Sequence, residues 1–245
     1  LTCLKTTVTL TAQPGTGVTY SWSTGGNTQS VNTTTPGTYT VTVTNISNGC
    51  TATASTVVTQ DISQPNAIAS NNGPLTCLKT TVALTAKPST VVTYLCSAGG
   101  TTQTINVTTP GTYTVTVTNN SNGCTATAST IVTQDITQPN AIASNNGPLT
   151  CLKTTVALTA QPGIGVTYSW SAGGTTQTIN VTTPGTYTVT VTNNSNGCTA
   201  TATTIVTQDI VPPTATASNN GPLTCIKTSV TLTALPATGV TYSWS

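Results

Sequence analysis

The same passage returns every 74 residues: LTCLKTT begins at Leu1, Leu75 and Leu149, and LTCIKTS at Leu223. Between the stretches Leu75 to Pro148 and Leu149 to Pro222, 63 of 74 positions are identical. A period of this length is that of a small domain, whereas repeats that fold only by stacking run at about 20 to 50 residues. The chain reads as an array of modules: residues 1–62, lacking a first strand, then 63–136, 137–210 and a partial module at 211–245. Residues 1–23 and 223–245 share one repeat phase, so neither end can complete the other. With no initiator Met and no signal peptide, the chain is expected to be a window on a longer mature polymer.

Charged residues make up 3% of the chain, against roughly 25% in ordinary soluble domains, and Thr supplies 67 of its 245 residues. Five Lys and no Arg, spread one or two per repeat, give no basic face for counterion release, which excludes nucleic acid as a partner. No apolar run is long enough to span a membrane. Low charge with much Asn, Ser and Thr resembles a disordered composition, but Val, Ile, Leu and Tyr recur in strict alternation, and that pattern predicts β-structure. Eight Cys with no His and no CxxC spacing point to disulfides and an oxidising, extracellular location.

In the second unit, Asn66–Ser70 and Leu75–Cys77 read as one first strand broken at Gly73-Pro74. Strands follow at Val82–Ala86, Val92–Ser97, Gln103–Val107, Thr112–Asn119 and Cys124–Gln134, separated by turns at Ala98-Gly99-Gly100, Pro110-Gly111 and Asn120–Gly123. About seven short strands with a turn every 8 to 12 residues predict an all-β fold, a linear array of immunoglobulin-like β-sandwiches. The aromatics fit that fold. Trp22, Trp170 and Trp244 lie in TYSWS on the third strand, where such sandwiches bury a Trp. Tyr39, Tyr113 and Tyr187 follow a Pro-Gly turn, where a tyrosine corner belongs. Their spacing inside regular strands marks all six as core aromatics rather than a ligand platform.

At GTYTVTVTN, NGCTATAS and TYSWS the chain resembles the immunoglobulin-like and polycystic-kidney-disease-like repeats of large bacterial surface proteins, especially gliding-motility adhesins exported by type IX secretion. The resemblance covers every repeat. It implies a cell-surface adhesin, stalk or filament and supplies no catalytic residue. Related repeats often carry Asp in the loop before NGC. Here Asn120, Ser121 and Asn122 stand there, so calcium binding is not implied.

The cysteines fall into two periodic sets: Cys3, Cys77, Cys151 and Cys225, and, offset by 47 residues, Cys50, Cys124 and Cys198. All seven are structural disulfide candidates, with two pairings open. Within one domain, Cys77 would meet Cys124. In immunoglobulin topology those positions lie at opposite ends, about 17 to 20 Å apart by strand length, whereas a disulfide needs Cα atoms within about 7 Å. The alternative joins neighbouring domains, Cys3 to Cys124 and Cys77 to Cys198. Cys96 stands apart, replacing Trp in TYLCS beside Leu95. It is read either as a buried free thiol in a repacked core or as an outward thiol that bonds a partner chain.

The only acids, Asp61, Asp135 and Asp209, each lie in TQDI, 18 residues before Lys79, Lys153 and Lys227, and are expected to be solvated and unpaired. With no His or Glu and one Asp per repeat, no paired-carboxylate or Ser-His-Asp site can form, and neither zinc nor calcium finds a ligand set. The chain is read as neither an enzyme nor a cofactor binder. Asn-X-Ser/Thr triplets at Asn32, Asn45, Asn106, Asn119, Asn180 and Asn193 are what so much Thr and Asn produces by chance.

Two functions fit. One is a structural and adhesive region of a long extracellular surface protein, forming a stiff stalk or filament whose partners are neighbouring repeats or other copies of itself. Short junctions such as Ile136–Asn140 favour stiffness, and at roughly 30 to 40 Å per domain three periods would span about 100 Å. The other is a multivalent carbohydrate- or ligand-binding array, with surface glycans as partners.

Overall fold

The computed structural model describes residues 1–245, all strand and turn. Two compact units are present, Leu1–Thr137 and Gln138–Ser245. The division falls one residue past the expected boundary and keeps residues 1–62 and 63–136 in one unit.

The first unit opens with β1 (Val8–Thr11), β2 (Val18–Trp22), β3 (Ser30–Thr33), β4 (Gly37–Asn45) and β5 (Thr51–Val58). It continues with β6 (Ile68–Asn71), β7 (Leu75–Thr76), β8 (Val82–Lys87), β9 (Val92–Cys96), β10 (Thr104–Val107), β11 (Gly111–Asn119), β12 (Thr125–Val132) and β13 (Gln134–Asp135). Alternation decides the faces. In β8, Val82, Leu84 and Ala86 are buried while Ala83 and Thr85 are half-exposed, so one sheet face is greasy and the other wet. Small residues oppose large ones across the core face: Val115 sits across from Ala128, and Val117 from Ala126.

The strand order is that of an immunoglobulin-like sandwich. One antiparallel sheet runs β10-β8-β6 and the other β12-β11-β9. The segment read as one broken first strand is two strands in two sheets. β6 pairs with β8, whereas β7 runs parallel to β13, with Leu75 opposite Gln134 and Thr76 opposite Asp135. The crossing is made at Gly73, whose φ of 116° a side chain would strain. Asn71 secures it from β6, its amide donating to Thr130 Oγ1 (2.8 Å) and the Ile131 carbonyl (2.9 Å) of β12, while its Oδ1 accepts from Gly73 N (3.0 Å). Lys79 Nζ donates to the Asn72 carbonyl at 2.6 Å. The lysine thus clasps the crossover rather than standing unpaired. In residues 1–62, β1 pairs with β3 and the facing sheet runs β2-β4-β5.

The second unit repeats the plan with β14 (Ile142–Asn145), β15 (Leu149–Thr150), β16 (Val156–Gln161), β17 (Val166–Trp170), β18 (Thr178–Val181), β19 (Gly185–Asn193), β20 (Thr199–Val206) and β21 (Gln208–Asp209). Sheets β14-β16-β18 and β17-β19-β20 face each other, and β15 runs parallel to β21. A single core joins Leu149, Val156, Leu158, Trp170, Val189, Val191 and Val206. Each such side chain, fully buried, contributes about 1.5 to 3 kcal/mol. The unit ends with β22 (Thr216–Asn219) paired to β23 (Leu232–Leu235). Trp244, expected in a core, is 53% exposed, because the 245 residues hold no counterpart of β18, β19 and β20 to cover it.

Candidate functional site

The chemistry of this chain is concentrated where residues 1–62 meet residues 63–136. There Cys3, in the loop before β1, is joined to Cys124, in the turn before β12, with their Cα atoms 5.0 Å apart and a sequence separation of 121. The pairing between neighbouring repeats is therefore the one formed, and Cys124 is not available to Cys77. Topology is the reason: the loop after the first strand lies at one end of a sandwich and the turn between its last two strands at the other.

Polar contacts surround the staple. Asn122 is 1% exposed, and its amide donates to Asp61 Oδ1 and to the Ser63 carbonyl, both at 3.0 Å. Its own Oδ1 accepts from Cys124 N at 2.9 Å, and its carbonyl accepts from Leu4 N at 3.3 Å. The backbone and side chain of Ser63, and then the Asn122 amide, hold the Asp61 carboxyl below the usual carboxylate range. Asp61 is exposed and without an ion pair, as expected, but its carboxylate is also hydrogen-bonded into the junction. Gly123 lies against Leu4 so closely that an added Cβ would fall 2.0 Å from Leu4 Cγ. The sequence marked the Asp and both cysteines of this junction. It gave no signal for Asn122, because an Asn in a loop rich in Asn looks like any other.

The remaining cysteines divide. Cys77 and Cys198 are disulfide-bonded. Cys50, Cys151 and Cys225, all expected in disulfides, are exposed free thiols. Their partners at the 121-residue spacing of the staple would lie before residue 1 or beyond residue 245, so the described chain holds none for them.

The core aromatics behave as a set, with one break. Trp22 and Trp170 are 5% and 4% exposed, and their indole Nε1 atoms donate to the carbonyls of Thr28 (2.9 Å) and Thr176 (3.1 Å). The tyrosine corners form at all three positions: the hydroxyls of Tyr39, Tyr113 and Tyr187 donate to the carbonyls of Thr35, Thr109 and Thr183 at 2.8, 2.9 and 2.8 Å. Tyr39 is buried, whereas Tyr113 and Tyr187 are half-buried. Thr33, and then Thr35, also hydrogen-bonds the Tyr39 hydroxyl, which sets that phenol below its usual range.

The break is Cys96, a free thiol 8% exposed, which is the buried alternative of the two expected. Where Trp170 joins the second unit's core into one cluster, the counterpart around Cys96 is two: Leu75, Val82, Leu84, Cys96, Val107 and Val132 form one, and Ala86, Val115 and Val117 the other. Between them lies a cavity of about 20 Å³ bordered by Leu84, Cys96, Ile105, Tyr113 and Val115. That is room for about one water, in an apolar lining that offers it few partners. Nearby, Val91 takes φ 59° where Gly17 and Gly165 stand in the sister repeats, a left-handed conformation costly for a β-branched residue.

No three Cys and Asp side chains gather where a metal ion could be held.

No family model matches the sequence, and no curated protein matches it. Among solved structures, the chain is similar to three N-terminal domains of the bacteriophage RB49 highly immunogenic outer capsid protein (Hoc). The identity is 17% over 84% of this chain and 94% of that one, with a TM-score of 0.33. It is also similar to the N-terminal four Ig domains of Dscam1. Isoform 8.4 shares 14% identity over 83% of this chain and 70% of that one, with a TM-score of 0.24, and isoform 1.9 shares 12% with a TM-score of 0.23. The chain covers 78% of itself and 65% of the isoform 1.9 chain in that match. The immunoglobulin-like assignment rests on strand order and pairing, not on these scores.

Proposed function

We propose that this chain is a load-bearing region of an extracellular surface protein, of the kind found in bacterial adhesins, in which successive immunoglobulin-like modules are stapled to one another as a stalk or filament. The observation that carries the reading is the Cys3–Cys124 bond, which joins two successive repeats rather than closing one. A bond confined to one module would stabilise that module alone. A bond between modules removes the freedom of one to swing on the next, and a tether over so long a loop contributes several kcal/mol, about 4 to 5 in the chain-entropy account. Asn122, Asp61, Leu4 and Gly123 add a second point of attachment, so the junction resists twisting as well as separation.

Disulfides of this kind persist outside the cytosol, and very low charge removes the repulsion that keeps parallel rods apart. Electron microscopy of the native material tests the reading. Continuous fibres or stalks that become flexible on reduction are expected. Separate compact particles that keep their outline in reductant, and that bind glycans, would replace it with the multivalent binding array.

A further inference from the structure

We propose that the module at residues 63–136 joins two copies of this chain side by side, their β9 strands pairing edge to edge and antiparallel about a two-fold axis at Thr93. The inference goes beyond the stalk reading and does not depend on the Cys3–Cys124 staple.

This module differs from its sisters in one place above all. Of the eleven positions at which Leu75–Pro148 and Leu149–Pro222 differ, six lie within Lys87–Cys96, and residues 1–62 agree with the later module at five of those six. Two of the six put apolar surface in water. Val91, 63% exposed, stands where the sisters carry Gly17 and Gly165, and Leu95, 60% exposed, stands where they carry Ser21 and Ser169. The Val91 carbonyl accepts from Asn120 N at 3.0 Å, just as the Gly165 carbonyl accepts from Asn194 N. The valine therefore brings to the same turn only a left-handed φ of 59° and an exposed side chain. Backbone strain and exposed apolar surface at one spot mark a contact made outside the folded chain.

The two residues flank an open sheet edge. β9 is the outer strand of the sheet β12-β11-β9, and no strand pairs with its far side. Its bonds to β11 are made by alternate residues: Ser97 N donates to the Thr114 carbonyl at 2.8 Å, and Val91 accepts from Asn120 N. By that alternation the N–H and C=O groups of Val92 and Tyr94 point away from β11. Sheet edges are commonly guarded by charge, but no charged residue lies between Val91 and Gln103.

The partner that matches this edge is a second copy of it. When two β9 strands run antiparallel with Thr93 opposite Thr93, Val92 of each copy faces Tyr94 of the other, and the open groups of both are used in hydrogen bonds across the axis. The same register sets Val91 of each copy opposite Leu95 of the other, in the class of cross-strand pair whose side chains approach most closely. Both unusual residues are then covered by each other. In the sister modules this pairing would set Gly17 against Ser21 and Gly165 against Ser169, with no apolar contact. A surface that pairs with itself closes as a two-fold dimer. An edge this short buries less than a standard interface, so the association is weak and shows itself at high protein concentration.

The test is sedimentation of the 245-residue chain over rising concentration, with hydrogen exchange read at single amides. Expected is a reversible dimer of 24.6 kDa chains that runs as a monomer on a denaturing gel without reductant. As it forms, exchange at the Val92 and Tyr94 amides should slow about tenfold, whereas Val18, Tyr20, Val166 and Tyr168 keep one rate at every concentration. Val91→Gly combined with Leu95→Ser installs residues with which the sister modules already fold, and it should return the chain to monomer without lowering its unfolding midpoint. A chain that stays monomeric up to its solubility limit, equal slowing at the sister amides, or a dimer that survives the double variant would each overturn the proposal. All three results would leave the stapled stalk standing.

Discussion

The amide of Asn122 donates across 3.0 Å to the carboxylate of Asp61, 61 residues away, and so ties the turn of one repeat to the exit of the one before it. The Asp61 carboxyl is held below its usual range in the folded chain, so this contact adds stability above the ordinary carboxyl pKa, about 3.9, and loses it as pH falls through the lowered native value. Replacing the buried amide by a carboxyl removes the donor. Asn122→Asp is expected to cost about 1 to 3 kcal/mol at neutral pH and to recover part of it in acid, where the new carboxyl is protonated. Thermal unfolding of both proteins from pH 7 to pH 3 checks this: wild type should fall monotonically, whereas the variant's deficit should shrink.

Gly49 and Gly123 share a left-handed backbone but not a neighbour, which separates conformational strain from crowding at the junction. Gly49→Ala meets nothing within 4 Å and should cost about 1 to 2 kcal/mol from its φ alone. Gly123→Ala should cost more, because its Cβ would enter the Leu4 side chain. Leu4→Ala in the same chain should return the cost to the Gly49→Ala value. Chemical denaturation of the three variants measures the difference, and equal costs for the two glycines would refute the packing of Leu4 on the turn.

The second repeat carries two departures from its sisters, and reversing each should stabilise it. Cys96→Trp refills the space that Trp170 occupies in the second unit, and since core Trp-to-Ala changes cost about 3 to 5 kcal/mol, a gain of about 2 kcal/mol is expected. Val91→Gly relieves a left-handed valine and should add about 1 kcal/mol. The two residues stand at opposite ends of β9, roughly 16 Å apart at strand spacing, so the gains should add in the double variant. Calorimetry that found either change destabilising would mean the surroundings have settled around the smaller or strained residue.

The repeat extends the staple by one period. Cys77 and Cys198 stand 121 residues apart in sequence, as Cys3 and Cys124 do, and non-reducing peptide mapping is expected to recover them as one linked pair. Recovery of Cys77 with Cys124 would contradict both.

Much of the sandwich was legible because alternation is a local property. TYTVTVT can only put its valines on one face, and the Pro-Gly turn ahead of Tyr113 placed the corner whose hydroxyl reaches the Thr109 carbonyl. The sheet switch at Gly73 was not legible, since a strand interrupted by Gly-Pro looks the same whether it resumes beside its old neighbour or a new one. The cysteines were legible only down to two pairings, because connectivity depends on which end of a domain each loop occupies. Asn122 and the clasp of Lys79 were invisible: their partners are backbone or carboxylate groups brought near by folding, with no spacing to betray them. Trp244 was misplaced because a motif carries its residue's preference but not the strands that must cover it.

The sheet switch has a mechanical meaning. β7, which follows the entering strand β6 across the switch, and β13, which leaves the module, lie side by side and parallel, with Leu75 N bonded to the Thr133 carbonyl at 2.9 Å. Tension on the chain from both directions drags these two strands past each other along their length, so their hydrogen bonds are strained together instead of opening one after another like a zip.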